Sequence, residues 1–308
     1  MRCGRGCPTT ATAGSLAQAQ AGSTRGSQVD RPPLTPGPGR PPRATVLGVR
    51  IDALRSGELT DAVSRLVREH AHVLVLNVNV HGLNLAYENP WLRDFFNRAE
   101  WVFPDGEGVV LAARFLGQRL PARITFADWI WDLAERAERE RYSLYFLGAK
   151  PQVAEAAAQR LRDLFPQLDI FGIRDGYFDK RRSSDGNRQV VEEINRLRPD
   201  ILLVGLGMPL QEKWLMDNWS DLDVKVALAV GGMFDFVSGR LRRAPKWMQR
   251  AGLEWLARLI IEPRRLWRRY VIGNPKFAFR LLRERLMLSH DRSGDPKSEV
   301  GDVGNPRL

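Results

Sequence analysis

The chain has almost no cysteine, little histidine and no long apolar run, and each shortage removes a class of explanation. Its two cysteines, Cys3 and Cys7, lie close together in an N-terminal stretch without a core pattern. A pair that close cannot staple a fold, so the expected compartment is reducing or at least disulfide-independent. The four histidines, His70, His72, His81 and His290, have no zinc-ligand spacing, and His70 with His72 reads as a solvated pair at a strand start. No segment approaches the roughly 18 apolar residues that a spanning helix needs, and the start lacks the apolar core of a signal peptide, so the protein is expected in the cytoplasm. GxGxxG with its following acid and GxxxxGK[ST] are both missing, which disfavours a dinucleotide dehydrogenase and a P-loop ATPase.

What is present is a chain of 308 residues, 44% hydrophobic, enough to bury a sizeable core in one or two domains. Its net charge of +11 is localised: residues 240–285 hold 14 Lys or Arg against three Glu, which accounts for all of it. A basic C-terminal module on a neutral body should meet something anionic. Residues 1–42, rich in Gly, Pro, Ser, Thr and Ala and ending in PPLTPGPGRPP, are expected to be disordered, a solvated tail or a mis-assigned start rather than a transit peptide. Residues 289–308 read as a second frayed tail.

Between the tails, apolar runs at 45–51, 72–77, 101–103, 143–148, 169–173, 200–207 and 225–232 alternate with helical-period segments at about 57–70, 81–97, 106–117, 125–140, 151–164, 187–197 and 209–219. Strands that are apolar on both faces and separated by helices predict an α/β, Rossmann-like, mostly parallel sheet with helices on both faces, over residues 43–239. After Gly232 the strand pattern stops. Residues 240–288 read as a basic helical appendage in which Pro245, Pro263 and Pro275 start new segments.

In such a sheet ligands bind beyond the carboxyl ends of the strands. The polar and Gly-rich residues at those ends are Asn77 and Asn79, Asp105 to Gly108, Gly148 to Lys150, and Gly205 to Glu212. Each has a plainer reading as turn chemistry. Asp105 could cap the helix after it, or act as a general base that accepts the proton of an attacking hydroxyl, with Glu107 as its backup. Asp221-Leu222-Asp223 has the DxD form of a metal-diphosphate motif, but it precedes the 225–232 strand and so belongs at the opposite, amino edge. No essential metal is expected, which leaves cationic side chains to stabilise a diphosphate leaving group.

Seven elements in order resemble the WecG/TagA/CpsF family of bacterial glycosyltransferases: N-x-N at 77–79, PDGxG at 104–108, RIT at 123–125, DGYF at 175–178, VGLGxPxQE at 204–212, VGGxFDFxSG at 230–239 and the Trp/Arg-rich run at 243–270. The resemblance covers about residues 45–280. It implies inverting, metal-independent transfer of N-acetylmannosamine, its uronic acid or a hexose from a UDP-sugar to an undecaprenyl-diphosphate-linked sugar, with no cofactor. By carry-over Asp105 is the base. Asn77, Asn79, Arg123, Gly148, Lys150, Gly205, Gly207, Gln211 and Glu212 are donor-site candidates, and Arg258, Arg265 and Arg268 are the diphosphate arginines. Self-association as a dimer or trimer also follows from the resemblance. Asn77, Phe126 and Leu210 depart from the commoner Thr, Gly and Lys, which leaves the donor sugar open.

The appendage carries an apolar stripe of Trp247, Trp255, Leu256, Leu259, Ile260, Leu266, Trp267 and Tyr270 beside six arginines. Trp with Arg on an amphipathic helix suits an anionic membrane surface, so the protein is expected to be peripheral on the cytoplasmic face of the inner membrane; packing of that face on the body is the plainer reading. A nucleic-acid-binding protein is the competing class, as is a non-catalytic scaffold of a polysaccharide-synthesis complex. No helix-turn-helix or RRM signature supports the first, so no nucleic-acid partner is expected, and intact Asp105, Arg123 and Gln211 oppose the second.

Overall fold

A computed structural model describes residues 41–293. The expectations for the N-terminal extension, apart from Pro41 and Pro42, and for the tail beyond Ser293 fall outside those residues. The described chain starts with a hairpin, β1 (Arg43–Val46) and β2 (Val49–Asp52), then runs α1 (Ser56–Arg68), β3 (Val73–Val78), α2 (Val80–Glu88), α3 (Pro90–Arg98), β4 (Trp101–Pro104), α4 (Glu107–Phe115), α5 (Phe126–Glu140) and β5 (Leu144–Gly148). It continues through α6 (Val153–Leu164), β6 (Ile170–Arg174), α7 (Asp185–Leu197), β7 (Ile201–Gly205), α8 (Leu210–Asn218), β8 (Val226–Ala229) and α9 (Met233–Val237). The basic segment forms α10 (Lys246–Arg250), α11 (Glu254–Ile261), α12 (Pro263–Trp267), a π turn (Arg268–Ile272) and α13 (Gly273–Ser293).

The six strands β4-β3-β8-β7-β5-β6 form one sheet in that order, every ladder parallel, with helices against both faces. The chain enters the sheet at β3, one strand in from the edge, goes outward to β4, then crosses to the other side, so the strand order reverses between β3 and β8. That is the crevice where an open α/β sheet can receive a ligand. Strands β5, β7 and β8 are buried along their whole length, as the apolar runs predict. Helices seat one stripe each: in α1, Leu59, Ala62, Val63, Leu66 and Val67 are all buried. Trp129 and Trp214 anchor the two faces, and their indole N–H groups donate to Thr60 Oγ1 at 2.8 Å and Asn187 Oδ1 at 2.7 Å.

Three predicted elements differ. The run 45–51 is a hairpin and not a sheet strand, because Leu47 (φ 49°) and Gly48 (φ 77°) both take left-handed conformations and reverse the chain. The hairpin is tied to the edge strand by Asp52, 2% exposed, which pairs with Arg43 at 2.6 Å and accepts the Val102 N–H at 2.8 Å. The helix expected over 81–97 is broken at Asn89, where Pro90 opens α3. Pro275 starts nothing: the preceding π turn already loosens the ladder where a proline lacks its N–H, and the helix runs on.

The basic segment divides between two roles. Ala244, Met248 and Ala257 form a small cluster of their own, whereas Phe277 and Leu281 of α13 enter the core of the body. Arg280 of α13 donates to Asn84 Oδ1 at 2.8 Å, and Glu284 accepts the Leu47 N–H at 3.1 Å. Among the described residues no helix is long and apolar enough to cross a membrane.

Candidate active site

At the carboxyl ends of β3, β4 and β8, with the loop after β7, opens a cavity of about 890 Å³ that α11 to α13 cover from the other side. It brings together Asn77, Asn79, Asp105, Arg123, Gly207, Gln211, Arg258, Arg265 and Arg268 from the sequence-derived set. Gly148, Lys150, Gly205 and Glu212 do not line it. Gly148 and Gly205 are register partners whose backbones touch: a Cβ on Gly148 would stand 2.3 Å from the Gly205 carbonyl oxygen. Lys150 is exposed at the end of β5, two strands beyond β8. Glu212 lies wholly buried behind Gln211.

Asp105 follows β4, its N–H bonded to the Val78 carbonyl at 2.8 Å. The helix-cap reading fails, since α4 is capped at Gly106, whose φ of 97° only glycine adopts readily, and no side chain caps it. The Asp105 carboxyl is therefore free to face the cavity. Burial raises its pKa above the ordinary carboxylate range, and the charge of Arg269, a hydrogen bond with the Asn79 side chain and the charge of Arg258 partly counteract that rise. The Asn79 amide is oriented by its other end, because its Oδ1 accepts the Gly82 N–H at 3.1 Å as the N-cap of α2.

Gln211 knits two turns together. Its Oε1 accepts the N–H groups of Gly207 at 3.2 Å and Gly231 at 3.0 Å, and its Nε2 donates to Glu212 Oε1 at 2.8 Å. The other Glu212 oxygen has no partner, and burial pushes its pKa up to about 7. Arg123 is held by Glu254 of α11 at 2.9 Å, and the same carboxylate pairs with Arg243 at 3.0 Å, so one acid ties the basic segment to the RIT loop before α5.

The cationic side is denser than the motif suggested. Arg258 stacks over the Phe236 ring at 5.2 Å, Arg265 pairs with Glu262 at 2.8 Å, and Arg268 lies 5.4 Å from the Trp267 ring centroid. Arg269 joins them in the cavity. Burial lowers its pKa, the neighbouring Arg258 and Arg265 charges lower it further, and Asp105 works the other way. The Nε atoms of both Arg258 and Arg269 are buried without a partner. With Arg123, five guanidiniums around one cavity make a site for a multiply charged anion.

Sequence reasoning left other lining residues unassigned, among them Arg269, Glu254 and His81. Arg269 adjoins Arg268 in the same run, Glu254 sits in the GLEWL element, and His81 follows N-x-N by two positions. The His81 ring is mainly desolvated and then repelled by Arg269, so its pKa falls to about 4 and it is neutral near pH 7. Asp221 and Asp223 pair with Arg182 at 2.8 Å and Arg198 at 3.1 Å before β8, at the edge opposite the cavity. Among the described residues no three His, Cys, Asp or Glu side chains cluster as metal ligands.

Residues 44–291 match the glycosyl transferase WecG/TagA/CpsF family. Similar relatives are three proteins named N-acetylglucosaminyldiphosphoundecaprenol N-acetyl-beta-D-mannosaminyltransferase. The one from Bacillus subtilis is 36% identical over 62% of this chain and 73% of its own length. Another, from Bacillus spizizenii, is 30% identical over 80% and 92%, and one from Staphylococcus aureus is 27% identical over 73% and 87%. The chain is a glycosyltransferase that belongs to the WecG/TagA/CpsF family.

Proposed function

We propose that the chain moves N-acetylmannosamine, its uronic acid or a hexose from a UDP-sugar to a sugar carried on undecaprenyl diphosphate, with inversion and without a metal ion, in bacterial exopolysaccharide or other cell-envelope polysaccharide synthesis. The observation that carries this reading is Asp105: a partly buried carboxyl of raised basicity at a strand end, sharing one cavity with five arginines. The names of the relatives support an undecaprenyl-diphosphate acceptor.

In this reading the acceptor hydroxyl gives its proton to the Asp105 carboxylate as its oxygen attacks the anomeric carbon, opposite the leaving UDP. The bond from that carbon to the UDP oxygen breaks, its electron pair stays on the diphosphate oxygen, and the arginines stabilise the negative charge that develops there. Asn79 aims the carboxylate; Asn77, Arg123, Gly207 and Gln211 shape the donor side. Arg258, Arg265, Arg268 and Arg269 face the two diphosphates that meet here. Trp247, Trp255, Ile260, Trp267 and Val271 remain exposed on the basic segment, which supports peripheral attachment to an anionic bilayer on the cytoplasmic face.

The test is UDP release from a panel of UDP-sugars with a polyprenyl-diphosphate-linked N-acetylglucosamine acceptor and EDTA present. Acceptor-dependent turnover of one donor is expected; release restored only by a divalent ion would remove the metal-independent step, and silence with every donor would count against the reading.

A further inference from the structure

The cavity has two chemically different ends, and the apolar one has no part in the chemistry assigned to Asp105. Along α4, Glu107, Gly108, Leu111, Ala112 and Phe115 line it, a spacing that keeps one helix face toward the cavity. From Glu107 beside Asp105 to Phe115 is about 12 Å at the rise of an α-helix. Opposite this face stand Phe277 and Leu281, one turn apart on α13 and nearly buried, so they make an apolar floor. Leu111 and Phe115 form the lip; they are 53% and 46% exposed, which no core packing explains. The polar groups of α2 at this end are already engaged, since Asn84 donates to the Gly273 carbonyl at 2.8 Å and Glu88 pairs with Arg280.

We propose that this trough, between α4 and α13, binds the first isoprene unit of the acceptor's polyprenyl chain. The inference rests on the polyprenyl-diphosphate reading of the acceptor and adds where the lipid goes. In such a molecule the first chain carbon is bonded to the diphosphate itself, so whatever receives the chain must begin where the diphosphate is held. Arg265, Arg268 and Arg269 stand on the same helical run that continues into Phe277 and Leu281. Asp105 lies within charge range of Arg258 and Arg269 at one end of the cavity and the apolar trough runs on from there, which matches a ligand whose sugar and diphosphate share one end and whose hydrocarbon leaves from it. The apolar stretch from Leu111 to Phe115 is about 6 Å at the helical rise, room for roughly one isoprene unit, and the remaining chain is free to stay in the bilayer. Selection then reads the head of the chain and not its full length.

Isothermal titration of the full chain, without detergent or membrane, compares farnesyl diphosphate with methyl diphosphate. Farnesyl diphosphate should bind at least about tenfold more tightly, because burying even two or three methylenes gives that factor. In the double variant Leu111→Gln with Phe115→Gln, whose side chains point partly to solvent and whose melting temperature should hold, that advantage should shrink to under about threefold. Equal affinities in the wild type, or an advantage that survives in the double variant, would overturn the trough. Binding of neither diphosphate would remove the arginine assignment and the trough with it. A farnesyl advantage without transfer to any polyprenyl acceptor would keep the trough and refute the reaction.

Discussion

Glu212→Gln should stabilise the protein in alkaline solution and do nothing in acid. Glu212 is fully buried, one oxygen accepts the Gln211 amide at 2.8 Å and the other has no partner, and burial takes its pKa from 4.5 to about 7. Below pH 4.5 the carboxyl is protonated in folded and unfolded chains alike, so it adds no pH dependence. Between 4.5 and 7 the unfolded chain gives up the proton while the folded chain keeps it, so stability falls as pH rises. Above 7 the loss is complete and amounts to about 3 kcal/mol. Glutamine keeps an acceptor for Gln211 and carries no charge. The variant should therefore match the wild type near pH 4.5 and exceed it by about 3 kcal/mol at pH 8, roughly 6 to 12 °C in melting temperature for a body of this size. Paired urea titrations at several pH values measure it, and other titrating groups cancel in the difference. Activity should stay within a few-fold, since Gln211 remains oriented. A variant that is less stable than the wild type at pH 8, or that follows the same pH curve, would refute the picture of an uncompensated buried acid.

Asp105→Asn should lower turnover by about 10²- to 10⁴-fold with the fold intact by circular dichroism, and the acid limb of the wild-type rate profile should lie above the ordinary carboxylate range, the direction in which burial moves this group. Arg269→Gln removes the charge that most opposes that rise, so the same acid limb should move to higher pH while kcat/KM falls; an unmoved limb would separate the two groups. Asp52→Ala leaves Arg43 and the Val102 N–H without their buried acceptor and should cost about 2–4 kcal/mol in urea unfolding.

The alternation of doubly apolar strands with helices was legible because a parallel strand covered on both faces has no polar side to blur it. The hairpin at the start was not, since a leucine at positive φ leaves no sequence mark and Gly48 alone reads as an ordinary turn. Lateral order was invisible as well: β5 precedes β7 in the chain, but β7 stands between β5 and β8, and this carries Lys150 away from the cavity. The strand-end motifs led to Asn79, Asp105 and Gln211. His81, Glu254 and Arg269 reach the same space only through the packing of α2, α11 and the π turn, which no local pattern encodes.

The bond between Glu284 and the Leu47 N–H joins residues 237 positions apart. At about 5–20 residues per second of synthesis, the hairpin is made roughly 10–50 s before its partner exists. Helix α13, which supplies that partner, also walls the cavity, so during translation every strand of the sheet can be in place while the site still lacks a side. An interrupted chain that stops before α13 is therefore born without the enclosure around Asp105, however complete its sheet.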